Sequence, residues 1–302
     1  MPISTGYAAT LLTVIAAYGI AALGLNITMG RAGQVNLGQA AFVGVGAMAS
    51  AIATVRYSLS FWEAIIIAAL ASFLAGAALG VVSIRLREDF LAITTIGFNF
   101  IVVYVFLYYK FFGGSYGIIG IPKPTLLGMR ITGFAYTIMS WTILLLLAAL
   151  ALYIDKTWLG LAFEALRDNE EVAESVGIDV RKYKILAFAI GAMYGGVAGS
   201  ILAHFKGYIV YSDFAFPYSI MILSMSIVGG MDTIVGAIVG SAMIILLPEI
   251  FRPLMEYRMI MYTAIIVLML YFKPEGLLGR ESKWLISLRR ILRAWSGGIR
   301  GD

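Results

Sequence analysis

The stretch FEALRDNEEVAESVGIDVRKYK, Phe163–Lys184, carries ten charged residues in twenty-two, whereas the whole chain of 302 residues has only 39. What surrounds it is correspondingly apolar: the chain is 61% hydrophobic and 13% charged, with a mean hydropathy of +0.92. A soluble protein carries about a quarter charged residues. A hydrocarbon core about 30 Å thick takes about 20 apolar residues per helical crossing, and runs of that kind recur along almost the whole chain. The fold class this predicts is an all-α polytopic membrane protein, with the charged stretch as its longest polar break between crossings.

Nine apolar segments are predicted, at 8–29, 34–55, 62–84, 90–112, 135–154, 183–204, 214–231, 233–251 and 256–273, with eight to ten also compatible. Segment 34–55 is rich in glycine and alanine and contains Gln34, Asn36 and Gln39. It reads as a full crossing or as a broken or re-entrant one, because irregular backbone at membrane depth needs protein or water around it. The start MPISTGY has no basic region and is expected to be an uncleaved first helix. Orientation follows from the excess of Lys and Arg in cytoplasmic loops. With nine crossings and the C-terminus inside, fifteen of the 22 Lys and Arg fall inside, among them Arg31, Arg85, Lys156, Arg181 and Lys182. Residues 155–182 and the C-terminus are therefore expected in the cytoplasm, and the N-terminus outside. The chain divides into a membrane domain, 1–280, and a basic amphipathic tail, 281–302. Within that tail, KWLISLRRILRAW (Lys283–Trp295) suits the inner membrane surface. Net charge of +5 reports this basic face; nucleic acid is not an expected partner.

From Leu161 to Val176 the charged stretch reads as one short amphipathic helix, with Leu161, Ala165, Leu166, Ala173 and Val176 on its apolar side and Gly177 as C-cap. Periodicity alone leaves two uses open: a solvated connector, or a docking element for a cytoplasmic partner.

Several blocks together resemble the LivM-type permeases of branched-chain amino acid ABC importers. They are EALRDNE with the following AE, GI and YK; GLNITMGRAGQVNLGQ from Gly24; RLREDFLAITTIGF (Arg85–Phe98); GGSYGIIGIPKP (Gly113–Pro124); the run Lys182–Ile209; and FKPEGLLG (Phe272–Gly279). They stand in order over about residues 20–280. The resemblance implies that the charged loop is a coupling helix seated on an ATP-binding subunit, through Glu164, Ala165, Arg167, Asp168, Glu170, Ala173 and Gly177. It also implies a second homologous permease, two ATP-binding cassette subunits and a periplasmic solute-binding protein as partners, in a bacterial or archaeal inner membrane. Permeases for urea or short-chain amides are very similar in sequence, so that solute class stays open as well. One block departs from the family: GGMDTIVGAIVG (Gly229–Gly240) has Asp232 and lacks the usual Gly-Pro pair.

The residues restrict the energy source independently. Ion-driven carriers normally keep an ionisable group at mid-membrane, at a cost of about 2.5–3.5 kcal/mol at a helix centre. Here Glu63, Asp89, Asp213, Asp232, Glu249 and Glu256 all lie at or near segment ends. No phosphate-binding G-x-x-x-x-G-K-[ST] loop occurs, so ATP-Mg is expected on partner subunits and no cofactor on this chain. With one histidine, His204, and no cysteine, neither a metal centre nor a catalytic constellation is expected. His204 is expected at the outer end of its helix, as a hydrogen-bonding group or as a contact for solute or binding protein. A stand-alone channel or secondary carrier is the competing class.

The neutral polar residues Asn26, Gln34, Asn36, Gln39, Thr94, Thr95, Asn99, Ser224 and Ser226 are candidates either for the translocation path or for bonding helices together. Gly191, Gly195 and Gly199, like Gly236 and Gly240, recur at four-residue spacing and are expected to let helices approach closely.

Overall fold

The computed structural model describes residues 5–86, 88–126, 129–231 and 233–250, with Ile260, Ala264, Val267, Leu268, Tyr271 and Gly276–Leu278. The expected segment 256–273 falls largely outside these residues, as do Asp232 and the tail 281–302. Ten α-helices are described: α1 (Thr5–Leu25), α2 (Gln39–Tyr57), α3 (Phe61–Ser83), α4 (Glu88–Tyr108), α5 (Phe134–Asp155), α6 (Trp158–Asp168), α7 (Glu170–Ser175), α8 (Val180–Lys206), α9 (Phe216–Gly229) and α10 (Ile234–Ile250). Among the described residues seven stretches are long and apolar enough to cross a membrane, and the apolar stretch Ile234–Leu247 is shorter. The chain is a multi-pass, helical membrane protein.

Segment 34–55 resolves into two parts. Helix α1 runs into a π-helical turn, Asn26–Arg31, and residues 32–38 are irregular before α2 begins at Gln39. The break therefore precedes the crossing, and α2 is an uninterrupted 19-residue helix. The irregular backbone is enclosed by protein, with Ala32, Gln34, Asn36 and Gly38 buried, as its place beside the membrane helices requires.

Helices α1, α2 and α8 form the centre. Small residues make this possible: a Cβ at Gly191 would overlap the Thr28 hydroxyl and the Gly24 carbonyl, and one at Gly199 would overlap the Val43 carbonyl. Gly195 faces Phe42, while Gly236 and Gly240 face the carbonyls of Gly229 and Met225. Around this centre α3, α4 and α5 bury one side and turn the other outward. Ile66, Leu70 and Leu74 on α3, Ile93 and Ile101 on α4, and Leu145 and Leu146 on α5 are exposed apolar groups suited to lipid. Ser60 and Glu63 fix the start of α3 through a reciprocal capping box. Helix α8 has 27 residues, about 40 Å at 1.5 Å per residue, which exceeds the hydrocarbon thickness.

The two ends of the bundle differ. One carries the short antiparallel pairs Ile118–Ile119 with Tyr208–Ile209 and Thr125–Leu126 with Met129–Arg130, and the Trp62 indole donates to the Thr125 carbonyl (3.2 Å). Helix α1 begins at this end, since Thr13 and Thr137 share a hydrogen bond (2.9 Å) near the start of α5. The other end carries the irregular 32–38 segment, the α9–α10 turn, and helices α6 and α7.

His204 departs from its expected surface position: it is fully buried, with Nε2 3.3 Å from the Ser50 hydroxyl and its ring edge-on to Phe61. The turn onto α3 folds over it.

Candidate functional site

The charged stretch forms two helices, not one, because Asn169 leaves helical geometry (φ −166, ψ 117) and its side-chain carbonyl caps the new start. Asn169 Oδ1 accepts from the backbone N–H groups of Glu171 (2.9 Å) and Val172 (3.1 Å). Asparagine is among the best N-caps, and that was the available signal for a break here. Gly177 ends α7 with φ +87, and Ile178 N–H returns to the Ala173 carbonyl (3.1 Å).

The loop packs against the rest of the chain through Phe163, Leu166 and Ala173, all buried. Leu161 and Val176, read as apolar-side residues, are instead exposed, together with Trp158 and Val172. The seven coupling candidates therefore divide. Glu164, Asp168 and Gly177 are exposed and Ala165 half-buried, whereas Ala173 is buried and Arg167 and Glu170 reach back into the bundle. Arg167 Nη1 donates to the Gly30 carbonyl (2.7 Å), inside the π-helical turn. Glu170 Oε1 lies 2.6 Å from the Lys184 ammonium and accepts from Gln34 Nε2 (3.4 Å).

Two further charges belong to the same joint and were missed by sequence reasoning. Lys184 is buried one turn inside α8, and Arg31 pairs with Asp155 at 2.5 Å across the ends of α1 and α5. A lysine entering an apolar helix needs a nearby acid, and the only signal was the acidic loop just before it. The Arg167–Gly30 and Gln34–Glu170 bonds tie α6 and α7 to residues 26–38, Glu170–Lys184 ties α7 to α8, and Arg31–Asp155 ties α5 to the same segment. A cleft of about 700 Å³ lies beside the joint, with Arg85, Asp89, Asp168 and Lys184 among its lining residues.

The translocation candidates are partly gathered here. Asn36 Nδ2 donates to Gln39 Oε1 (2.9 Å), and Asn36 Oδ1 accepts from Gly38 N–H. Gln39 Nε2 bridges the carbonyls of Ala21 on α1 and Gly191 on α8, which makes it a bond between helices. Asn26 Nδ2 donates to the Gly230 and Thr233 carbonyls in the α9–α10 turn. That turn also receives the closing block: Leu277 and Leu278 N–H groups donate to the Val228 and Gly229 carbonyls. Thr94 bonds back to Phe90, and Thr95 accepts from Leu37 N–H (3.0 Å) while donating to Ala92. Asn99 lies farther along α4, donating to the Phe214 carbonyl (3.1 Å). Among the described residues three buried side-chain oxygens stay without a partner: Asn26 Oδ1, Gln34 Oε1 and Asn99 Oδ1. Ser224 bonds back within α9 to Ile220, and Ser226 bonds to Ala22 on α1. Among the described residues no group of three or more His, Cys, Asp or Glu is arranged to hold a metal.

Comparison with known proteins matches residues 7–270 to the family described as branched-chain amino acid transport system / permease component. The chain is 34% identical over 291 residues to the high-affinity branched-chain amino acid transport system permease protein LivM of Escherichia coli (strain K12), covering 88% of this chain and 68% of that protein. It is 25% identical over 318 residues to the probable branched-chain amino acid transport permease protein LivM of Methanocaldococcus jannaschii, covering 86% and 90%. The permease protein LivH of Escherichia coli (strain K12) is 28% identical over 138 residues, 45% of this chain and 44% of that one. No solved structure matches significantly.

Proposed function

Because this chain belongs to the branched-chain amino acid transport permease family, we propose that it is one membrane subunit of an ATP-driven importer for leucine, isoleucine and valine. It takes solute from a periplasmic binding protein and releases it to the cytoplasm across a bacterial or archaeal inner membrane. Similarity to both the LivM and the LivH relatives supports pairing with a second, homologous permease. The chain performs no chemistry. Two ATP-binding cassette subunits hold ATP-Mg and dock on the exposed side of α6 and α7, where Glu164 and Asp168 stand beside Leu161, Val172 and Val176. Loop 155–182 and the basic tail 281–302 then face the cytoplasm, and the paired short strands face outward.

The observation that carries this reading is the joint between the charged loop and residues 26–38. A short rigid helix pair moves as a body when its partner moves. Arg167 holds the Gly30 carbonyl and Glu170 holds Lys184 and Gln34, so displacement of the loop pulls directly on the π-helical turn. That turn shares Asn26 with the α9–α10 turn, which spreads the motion to the far helices. Asn26, Gln34 and Asn99, with unpartnered oxygens, are the residues we assign to the path. Gln39, Asn36 and Thr95 hold its walls.

The test is to purify the tagged chain from its host in mild detergent, identify its companions by mass spectrometry, and reconstitute them with the binding protein. A second permease, two ATPases and ATP-dependent leucine uptake are expected. Uptake of urea in place of leucine would move the solute assignment to the amide class. Solute flux through the chain alone, without ATP, would overturn the importer reading in favour of a channel or carrier.

A further inference from the structure

At the end of the bundle opposite the charged loop, a groove of about 480 Å³ opens between α2, α3 and α4. Val45 and Ala49 of α2, Ile67 and Ala71 of α3, and Val102 and Phe106 of α4 form its walls, and among the described residues no charged side chain lines it. Its mouth is different. Tyr57 and Phe111 stand exposed there, with Trp62, Tyr108 and Tyr109 exposed on the same helix ends. Aromatic residues of this kind collect at the headgroup level of a bilayer. The Arg56 guanidinium lies over the Phe111 ring, 4.6 Å from its centroid, and Lys110 precedes that ring in sequence. Among the described residues neither Arg56 nor Lys110 lies within salt-bridge reach of a carboxylate.

We propose that this groove is a phospholipid site, with an acyl chain between α2, α3 and α4 and an anionic headgroup held by Arg56 at the mouth. Three features select this occupant. A zwitterionic amino acid would lose its hydration against walls with no polar partner, a large cost that an acyl chain does not meet. A helix laid on the groove would set only a few side chains into it and would leave Arg56 without an anion. And two cations without carboxylate partners at headgroup depth complement a phosphate. A flexible apolar tail beneath a fixed anionic head matches the groove in both of its parts.

The experiment is native mass spectrometry of the complete, delipidated transporter titrated with phosphatidylglycerol or with phosphatidylcholine. Four forms are compared: the unchanged protein, Arg56→Gln, Ala49→Phe and Ala71→Phe. The unchanged protein is expected to retain one phosphatidylglycerol more strongly than phosphatidylcholine. Arg56→Gln should reduce that preference by up to about fivefold, the worth of one exposed ion pair. Ala49→Phe fills the groove from α2 and should remove the retained lipid. Ala71→Phe fills it from α3, so the groove is still tested if one variant fails to assemble. Lipid retained equally by either filled variant that assembles, or no retained lipid in the unchanged protein, would overturn the proposal. So would photo-crosslinking from Ala49 into the second permease, because the groove would then be a protein interface.

Discussion

Removing the Glu170 carboxylate should uncouple the charged loop from the bundle while leaving the loop folded. The Lys184 side chain is 6% exposed, so Glu170→Ala strands a buried ammonium, whereas Glu170 itself is 44% exposed and partly screened. Breaking a fully buried pair costs about 3–5 kcal/mol, and an exposed pair is worth about 0–1. This half-buried pair falls between them at about 2 kcal/mol, or about thirtyfold in the population of a released joint. Proteoliposomes with the full transporter, assayed for leucine uptake per ATP hydrolysed, are the place to look. Glu170→Ala is expected to keep ATP hydrolysis but to lower uptake per ATP several-fold. Lys184→Met combined with Glu170→Ala removes both charges, and should recover thermal stability without recovering coupling. Full coupling in Glu170→Ala, or recovery of coupling along with stability in the double variant, would show the pair to be purely structural and refute the transmission argument.

Further substitutions separate the roles assigned above. Changing Glu164 and Asp168 together to lysine should leave the chain inserted while ATPase recovered per permease drops at least tenfold on affinity purification; undiminished recovery would place docking elsewhere. Gln39→Leu should destabilise the chain by about 1–3 kcal/mol, since the Ala21 and Gly191 carbonyls lose their donor. Leucine KM of any surviving Gln39→Leu transporter should stay unchanged, and a raised KM would return Gln39 to the path. Gly199→Ala should lower the melting temperature through a loss of about 1–3 kcal/mol, because its Cβ meets the Val43 carbonyl. In α4, Gly97→Ala has nothing within 4 Å of the new Cβ and should stabilise by about 0.5–1 kcal/mol. Thermal unfolding in detergent compares the two alanines directly, and equal losses would contradict the packing described.

The fold was legible wherever a single physical term dominated. Apolar runs of about 20 residues report a solvent, and α1, α3, α4, α5, α8, α9 and α10 coincide with seven of the expected segments. Segment 34–55 was ambiguous because its polar residues are counted against hydropathy, although Gln39 is neutralised by carbonyls that arrive from residues 21 and 191. Such long-range partners have no local trace. The same limit applies to the charged loop. Its composition marked it as a connector or a docking element, but which charges faced inward depended on Gly30, Gln34 and Lys184, brought there by segment 26–38 and by α8. His204 was misplaced for a related reason: its place beside Lys206 suggested a surface, and only the packing of Phe61 and Ser50 encloses it.

The contrast between α8 and α3 has a consequence for how such chains diverge. Both are apolar helices, yet α3 turns Ile66, Leu70 and Leu74 to oil, where any aliphatic residue of similar solubility serves. At Gly191 and Gly199 the neighbouring backbone occupies the space of a single methyl group. Drift on the outward face of α3 is therefore limited by chemistry, and drift along α8, like that at Gly76 and Gly80 on the inner face of α3, by volume. A saturation library selected for transport should accept leucine, valine or phenylalanine at position 70 and reject even alanine at position 199. Two stretches that both read as membrane crossings would then leave opposite signatures in their descendants.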